Sequence, residues 1–419
     1  MKQIKIEGKH LLEGTIKISG AKNSAVALIP ASLLSDGIVT IDNVPNISDI
    51  DALSEILEFL GVKVERNEGL IKIDSTNLIN KEIPEMISSK LRASYYFMSA
   101  LLGKYKKVEM YFPGGCSIGA RPIDQTLKGF KELGATVKEE ENKYTITAEN
   151  LHGGHVYLDM PSVGATINTM LVAVRANGKT IIENAAKEPE IVNVATILNN
   201  MGAKITGAGF GRITIEGVES LKKPEPFTPI FDRIEAGTFM VAAAITNSKI
   251  TINGVNEQHL MPNIEKLKEC GVNCIVEGNR MIVDGTGEKR PVDIKTMPYP
   301  GFPTDMQPQM MVLLSMTPGV SVITETVFEN RFMHVGELGR MGANIKIDGK
   351  VAIVEGVSQL TGCNVKATDL RAGAAMILAG LVANGQTEIG EVYHIDRGYT
   401  NIEEKFVKLG ADIERVTIQ

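Results

Sequence analysis

Six basic residues, Lys22, Arg92, Arg121, Arg331, Arg371 and Arg397, recur at related spacings along the 419-residue chain. Arginine's planar fork matches carboxylate and phosphate oxygens, and lysine adds a compact point charge. If the six converge, they would hold a small ligand carrying several negative charges. Cys116 lies in Pro113-Gly114-Gly115-Cys116-Ser117-Ile118-Gly119-Ala120-Arg121-Pro122, a stretch compatible with neither a helix nor a central strand and expected to be a mobile loop. With few apolar neighbours and an arginine five residues on, its thiolate is favoured, and a chemical role fits better than packing. Asp305 follows the rigid turn Tyr299-Pro300-Gly301-Phe302-Pro303-Thr304 at a helix start. It reads either as a plain N-cap or as a carboxylate that accepts a proton from a substrate hydroxyl.

Other reactive residues carry less. Cys270 and Cys274 span a helix end and Cys363 stands alone, so all three read as packing residues. His152 and His155 have no further ligand at metal spacing, and no phosphate-binding or dinucleotide fingerprint occurs. Neither a metal nor a cofactor is expected.

A length of 419 residues implies two or three compact units, and 43% hydrophobic with 22% charged residues implies a folded soluble protein rather than a disordered chain or a rod. A formal charge of -6 argues against a surface built to neutralise nucleic acid, so the basic site must be local and no nucleic-acid partner is expected. Four cysteines make no disulfide framework, which suggests a reducing compartment. Met1 to Gly14 alternates like a strand, with Ile4 and Ile6 between polar neighbours, and lacks the apolar run of a signal peptide. The apolar run Ala372 to Ala383 is too short to span a bilayer. A cytoplasmic protein without a membrane association follows.

The elements that must position the basic residues are repeated. Leu60-Gly61-Val62, Leu133-Gly134-Ala135, Met201-Gly202-Ala203, Cys270-Gly271-Val272, Met341-Gly342-Ala343 and Leu409-Gly410-Ala411 place glycines 73, 68, 69, 71 and 68 residues apart by subtraction. Each phrase ends a stretch with helical spacing, such as Leu53, Ile56, Leu57, Leu60, so the glycine reads as a helix terminator. A strand and, after a turn, a second strand follow; in the last unit the second is expected at Arg415 to Ile418. Upstream lies another helix rich in Ala, Met and Leu, then a strand. Each unit thus reads helix, strand, helix, strand, strand, with the alanine-rich helix buried and the charged one outside. Six units divide into two domains of three, residues 20–229 and residues 1–19 plus 230–419, around a cleft, with the Pro-rich stretch Lys222 to Pro229 as the linker.

Aligned on the glycines, the buried helices begin at Lys22, Arg92, Ser162, Arg233, Asp305 and Arg371, which precede their glycines by 39, 42, 40, 38, 37 and 39 residues by subtraction. Helix N-termini are electropositive, so cations there are unfavourable unless an anion shares the site. The loop before each outer helix carries Ser48, Arg121, Glu188, Glu257, Arg331 and Arg397. Ordinary solvated charges would explain any one of these residues; their recurrence in register favours a common ligand.

Gly20-Ala21-Lys22-Asn23, the Cys116 loop through Arg121-Pro122-Ile123-Asp124, Pro161-Ser162-Val163-Gly164-Ala165-Thr166, the turn ending in Asp305, Glu329-Asn330-Arg331, Asp369-Leu370-Arg371 and Asp396-Arg397-Gly398 resemble the UDP-N-acetylglucosamine enolpyruvyl transferase family over essentially the whole length. The resemblance implies an α/β fold, the inside-out α/β barrel of two domains with three repeats each. It also implies transfer of the enolpyruvyl group of phosphoenolpyruvate to the sugar 3-hydroxyl, at the start of peptidoglycan precursor synthesis. Lys22, Arg121 and Arg397 would grip phosphoenolpyruvate, with Asn23, Arg331 and Arg371 near the reacting centre. Cys116 would protonate the methylene and be the target of the epoxide fosfomycin. Arg92, Arg121, Pro122, Ile123, Asp124, Gln125, Ser162, Val163, Gly164, Asp305 and Val327 would hold the sugar nucleotide, Asp305 taking the hydroxyl proton. No obligate protein partner is implied. Some members carry lysine where this chain has Ser48 and Met160. Two rivals remain: a 5-enolpyruvylshikimate-3-phosphate synthase, which usually opens with Pro-Gly-Ser-Lys-Ser, and a non-catalytic polyanion binder, which the 5% aromatic content disfavours.

Overall fold

The structure, a computed structural model, describes residues 2–114 and 122–417. Cys116 and Arg121 lie outside them. The six alanine-, methionine- and leucine-rich segments form helices α1 (Lys22–Ala31), α2 (Tyr96–Tyr105), α3 (Val163–Ala173), α4 (Arg233–Ile245), α5 (Gln307–Ser315) and α6 (Leu370–Val382). Small and apolar residues on every face allow burial all round, and every residue of α4 and of α5 is buried. The second helix of each repeat buries one stripe. In Glu257–Glu269 the buried residues are Leu260, Asn263, Ile264 and Leu267, at the i, i+3, i+4, i+7 spacing of a single helix face. These helices end at Gly61, Gly134, Gly202, Gly271, Gly342 and Gly410, with φ from +81° to +102°, the left-handed turn that glycine adopts without a Cβ penalty.

Residues 20–114 with 122–230 form one compact unit and residues 2–19 with 231–417 another, each with its own hydrophobic core. In the first, α2 packs against both α1 and α3; in the second, α4, α5 and α6 pack pairwise. Each unit has helices at its centre and three sheets around them. In the first repeat, Ile38–Ile41 pairs antiparallel with Leu70–Asp74, which pairs with Lys63–Asn67. The other repeats build on the same strand pattern, and several of the strands that follow a buried helix also gain a parallel neighbour. For Val320–Thr324 that neighbour is Ile294–Lys295, and for Lys179–Glu183 it is His155–Tyr157.

Two segments from outside the repeats fill places in this pattern. The Pro-rich stretch is no loose tether: Phe227 bridges Ile41 in parallel, and Asp42 N–H donates to its carbonyl at 2.9 Å. At the other end of the chain, Asp412–Thr417 is a single strand, which corrects the expectation of a further strand at Arg415 to Ile418. The missing hairpin partner is Lys2–Glu7, inserted antiparallel between Gln386–Gly390 and Asp412–Thr417. Glu13–Lys17 runs parallel to Lys249–Asn253 in a different sheet. A hairpin split between the two chain ends has no local turn signal, so sequence pattern alone could not pair it. No helix among the described residues is long and apolar enough to cross a membrane.

Candidate active site

In the first unit Lys22 is the opening residue of α1, and its Nζ lies 3.1 Å from Asp49 Oδ2, with side-chain exposures of 12% and 5%. Asp49 sits in the first turn of Ser48–Phe59, where the helix dipole favours a carboxylate. The pair fixes the direction of the lysine. Asn23 follows in the same turn and is partly buried, while Ser48 is exposed.

Arg92 opens a 3-10 turn, Arg92–Tyr95, that leads into α2, and its guanidinium carbon lies 5.5 Å from the Tyr95 ring centre. The same tyrosine lies against the start of α3: a Cβ on Gly164 would sit 1.8 Å from Tyr95 Oη, so any larger residue there would have to displace the tyrosine ring. Ser162 caps α3, its Oγ accepting from Ala165 N–H at 3.3 Å, and Val163 is the first helical residue. Tyr95 therefore brings Arg92 and the Ser162–Gly164 turn together. Pro122 is exposed and Ile123 buried ahead of the helix Asp124–Glu132. Gln125 reaches Asp159 through Nε2 to Oδ2 at 2.8 Å and takes the Asp159 N–H at 2.8 Å. Lys128 and Gln125 hold the Asp159 carboxyl below its usual range.

The second unit holds the densest constellation. Asp305 is not a capping residue: Pro303 stands at the cap of its 3-10 turn, and Met306 at the cap of α5. Its Oδ1 accepts from Arg331 Nη2 at 3.0 Å and its Oδ2 from Arg371 Nε at 3.3 Å. The arginine side chains are 3% and 2% exposed. Asp369 caps α6, accepting from the N–H groups of Arg371 and Ala372 at 2.7 and 3.0 Å. The Arg371 guanidinium carbon lies 5.2 Å from the Tyr399 ring centre, and Tyr399 Oη is 3.0 Å from Thr238 Oγ1 on α4. Burial opposes the charge of Arg371, but Tyr399, Asp305 and Asp232 outweigh it and raise its pKa above the ordinary arginine value. Arg397 follows the short helix Tyr393–Asp396, whose Asp396 accepts two hydrogen bonds from Arg415, at 2.9 and 2.8 Å. Arg415 also donates to Glu403 at 2.6 Å, so the loop bearing Arg397 is fastened to the last strand.

Two buried guanidiniums share the Asp305 carboxylate here. Arg371 Nη1 and Nη2 and Arg331 Nε are buried with no hydrogen-bond partner among the described residues. Unsatisfied donors on buried cations are what an anion would complete. His334, fully buried beside them, has its pKa lowered to about 4: burial is the main cause, with Arg331 adding to it and Asp369 opposing. Among the described residues no group of three His, Cys, Asp or Glu could hold a metal ion. Cys270 and Cys274 are buried, and burial pushes the Cys274 thiol up to about 12.

Sequence reasoning missed Asp49, Tyr95 and Tyr399. Asp49 was within reach, since it stands one residue past the outer-loop register. The two tyrosines lie three residues after Arg92 and two after Arg397, but their contacts are made across elements and leave no spacing signal.

Residues 6–406 match the family described as EPSP synthase (3-phosphoshikimate 1-carboxyvinyltransferase). The chain is 53% identical over 418 residues to UDP-N-acetylglucosamine 1-carboxyvinyltransferase 2 of Clostridium tetani, covering 99% of this chain and 100% of that protein. It is 52% identical over 419 residues to UDP-N-acetylglucosamine 1-carboxyvinyltransferase 2 of Carboxydothermus hydrogenoformans, covering 100% of both. Among solved structures, the enolpyruvyl transferase NikO from Streptomyces tendae superposes with a TM-score of 0.90 at 27% identity, covering 100% of this chain and 99% of that one. EPSP synthase from Acinetobacter baumannii gives a TM-score of 0.75 at 18% identity over 100% of both chains, a likeness of fold.

Proposed function

We infer the activity from one premise: the chain belongs to the enolpyruvyl (1-carboxyvinyl) transferase family, and with it has the family's inside-out α/β fold. It transfers the enolpyruvyl group of phosphoenolpyruvate to the 3-hydroxyl of UDP-N-acetylglucosamine and releases phosphate, the first committed step of peptidoglycan precursor synthesis. The observation that carries this reading is the buried Arg331–Asp305–Arg371 constellation with its unsatisfied donors.

The hydroxyl oxygen bonds to C2 of phosphoenolpyruvate while a proton reaches the C3 methylene, giving a phosphate-bearing tetrahedral intermediate. Breaking the C2–O bond to phosphate, with loss of the added proton, leaves the enol ether. Asp305 takes the hydroxyl proton, and Cys116 supplies the one delivered to C3. Lys22, Arg121 and Arg397 grip phosphoenolpyruvate, with Asn23, Arg331 and Arg371 at the reacting centre; fixed cations of this kind stabilise the charge that develops on phosphate. Arg92, the Arg121 to Gln125 segment, Ser162, Val163, Gly164, Asp305 and Val327 hold the sugar nucleotide. We place the reaction in the cytoplasm.

The family description also names shikimate chemistry, so acceptor choice needs a direct test. Relatives at 50% identity or above are named for the sugar nucleotide, whereas the EPSP synthase structures stand at 18%. Phosphate release from phosphoenolpyruvate is expected with UDP-N-acetylglucosamine and not with 3-phosphoshikimate. Release only with 3-phosphoshikimate would overturn the acceptor, and release with neither would overturn the transferase reading.

A further inference from the structure

Glu325 is fully buried, and none of the ion pairs among the described residues involves it. Its carboxyl group instead collects four donors from three segments. Oε1 accepts from Thr296 Oγ1 at 2.8 Å, Val327 N–H at 2.8 Å and Phe328 N–H at 3.2 Å, and Oε2 accepts from Thr304 Oγ1 at 2.9 Å. Thr296 tightens the same knot: its Oγ1 accepts from Thr326 N–H at 2.9 Å and its carbonyl from Thr326 Oγ1 at 2.5 Å. Thr304 directly precedes Asp305, and the 326–328 segment leads to Arg331 three residues on. The carboxylate and one of its two guanidinium partners thus hang from a single buried side chain.

A buried carboxyl group without a cation is costly unless donors surround it. An apolar residue would serve a purely structural role at lower cost, whereas an acceptor with two oxygens can collect hydroxyl and amide donors from separate loops. We infer that Glu325 is a positioning residue for the transfer reaction, tying the turn that presents Asp305 to the segment that carries Val327 and Arg331. The inference rests on the role proposed above for Asp305.

Glu325→Gln keeps the geometry: the amide oxygen replaces Oε1, and the amide nitrogen donates to Thr304 Oγ1, a hydroxyl that also accepts. Glu325→Ala removes all four ties, and Thr304→Val removes one at nearly constant volume. Misplacement of a reacting group by about 1 Å can cost about 100-fold. Steady-state assays are therefore expected to show kcat down by about 100-fold in Glu325→Ala and about tenfold in Thr304→Val, KM for phosphoenolpyruvate nearly unchanged, and Glu325→Gln close to wild type. Folded Glu325→Ala with wild-type kcat would overturn the inference. Should that variant fail to fold, Thr304→Val decides: lower kcat at an unchanged melting temperature supports the tie, and wild-type kcat removes it. Amide hydrogen exchange at Val327 and Phe328, compared between wild type and the variants, reads the tie without substrate. Unchanged exchange sinks Glu325, whereas a wild type that turns over neither acceptor sinks the functional reading alone.

Discussion

Asp305 begins as the partner of two buried guanidiniums, so the group proposed to take a proton must first be partly released by the ligand's own anionic oxygens drawing Arg331 and Arg371 away. The proton-donor role proposed for Cys116 is less demanding, because a carboxyl group can supply the same proton. Cys116→Asp is expected to retain phosphate release and to lose sensitivity to fosfomycin, since a carboxylate is a poor target for a thiol-alkylating epoxide. Abolished turnover with substrates still bound would remove the donor role. His334 makes a separate claim on pH. Its folded-state pKa of about 4 lies below the ordinary 6.5, so between those values the unfolded chain binds a proton that the folded chain does not. Stability from this group is present above pH about 6.5 and is lost as pH falls toward about 4, by an amount on the order of 3 kcal/mol. Urea midpoints measured across that range should fall on acidification, and His334→Gln should flatten the slope.

At the scale of the elements, the six helix-ending glycines share a backbone angle but differ in their surroundings. Gly342, at φ +97°, has nothing within 4 Å of where a methyl group would sit, whereas a Cβ on Gly271, at φ +96°, would lie 2.2 Å from the Glu288 carbonyl oxygen. Gly342→Ala should therefore cost only the conformational strain, about 1–2 kcal/mol, and Gly271→Ala clearly more, as read from urea denaturation. The same glycines explain how much of the fold was legible. Each pins a helix end and so phases a repeat, which in turn locates Lys22, Arg92, Ser162, Arg233, Asp305 and Arg371 at equivalent helix starts. Contacts that cross elements are a different matter. The Tyr95–Gly164 packing, the stacking of Arg371 on Tyr399 and the Lys22–Asp49 pair depend on how helices meet, and a one-dimensional pattern records spacing along one element only.

For the molecule as a whole, the two units differ in how the chain closes them. The first is completed by a segment that follows its own third repeat, where Phe227 joins Ile41. The second borrows both Lys2–Glu7 and Glu13–Lys17 from the far end of the chain. Deleting residues 2–7 would leave Gln386–Gly390 and Asp412–Thr417 with unpaired edges, which favour association between chains. Calorimetry of that variant should show an earlier transition for the second unit and a preserved one for the first, together with a lower soluble yield; a single unshifted transition would refute this assignment. The pairing of Lys2 with Thr417 also fixes an order of events on the ribosome. The first unit has all its residues once Ile230 has emerged, so it can fold while the rest is still being translated. Lys2–Glu7 has to wait, unpartnered, until Gln386–Gly390 and Asp412–Thr417 have been made.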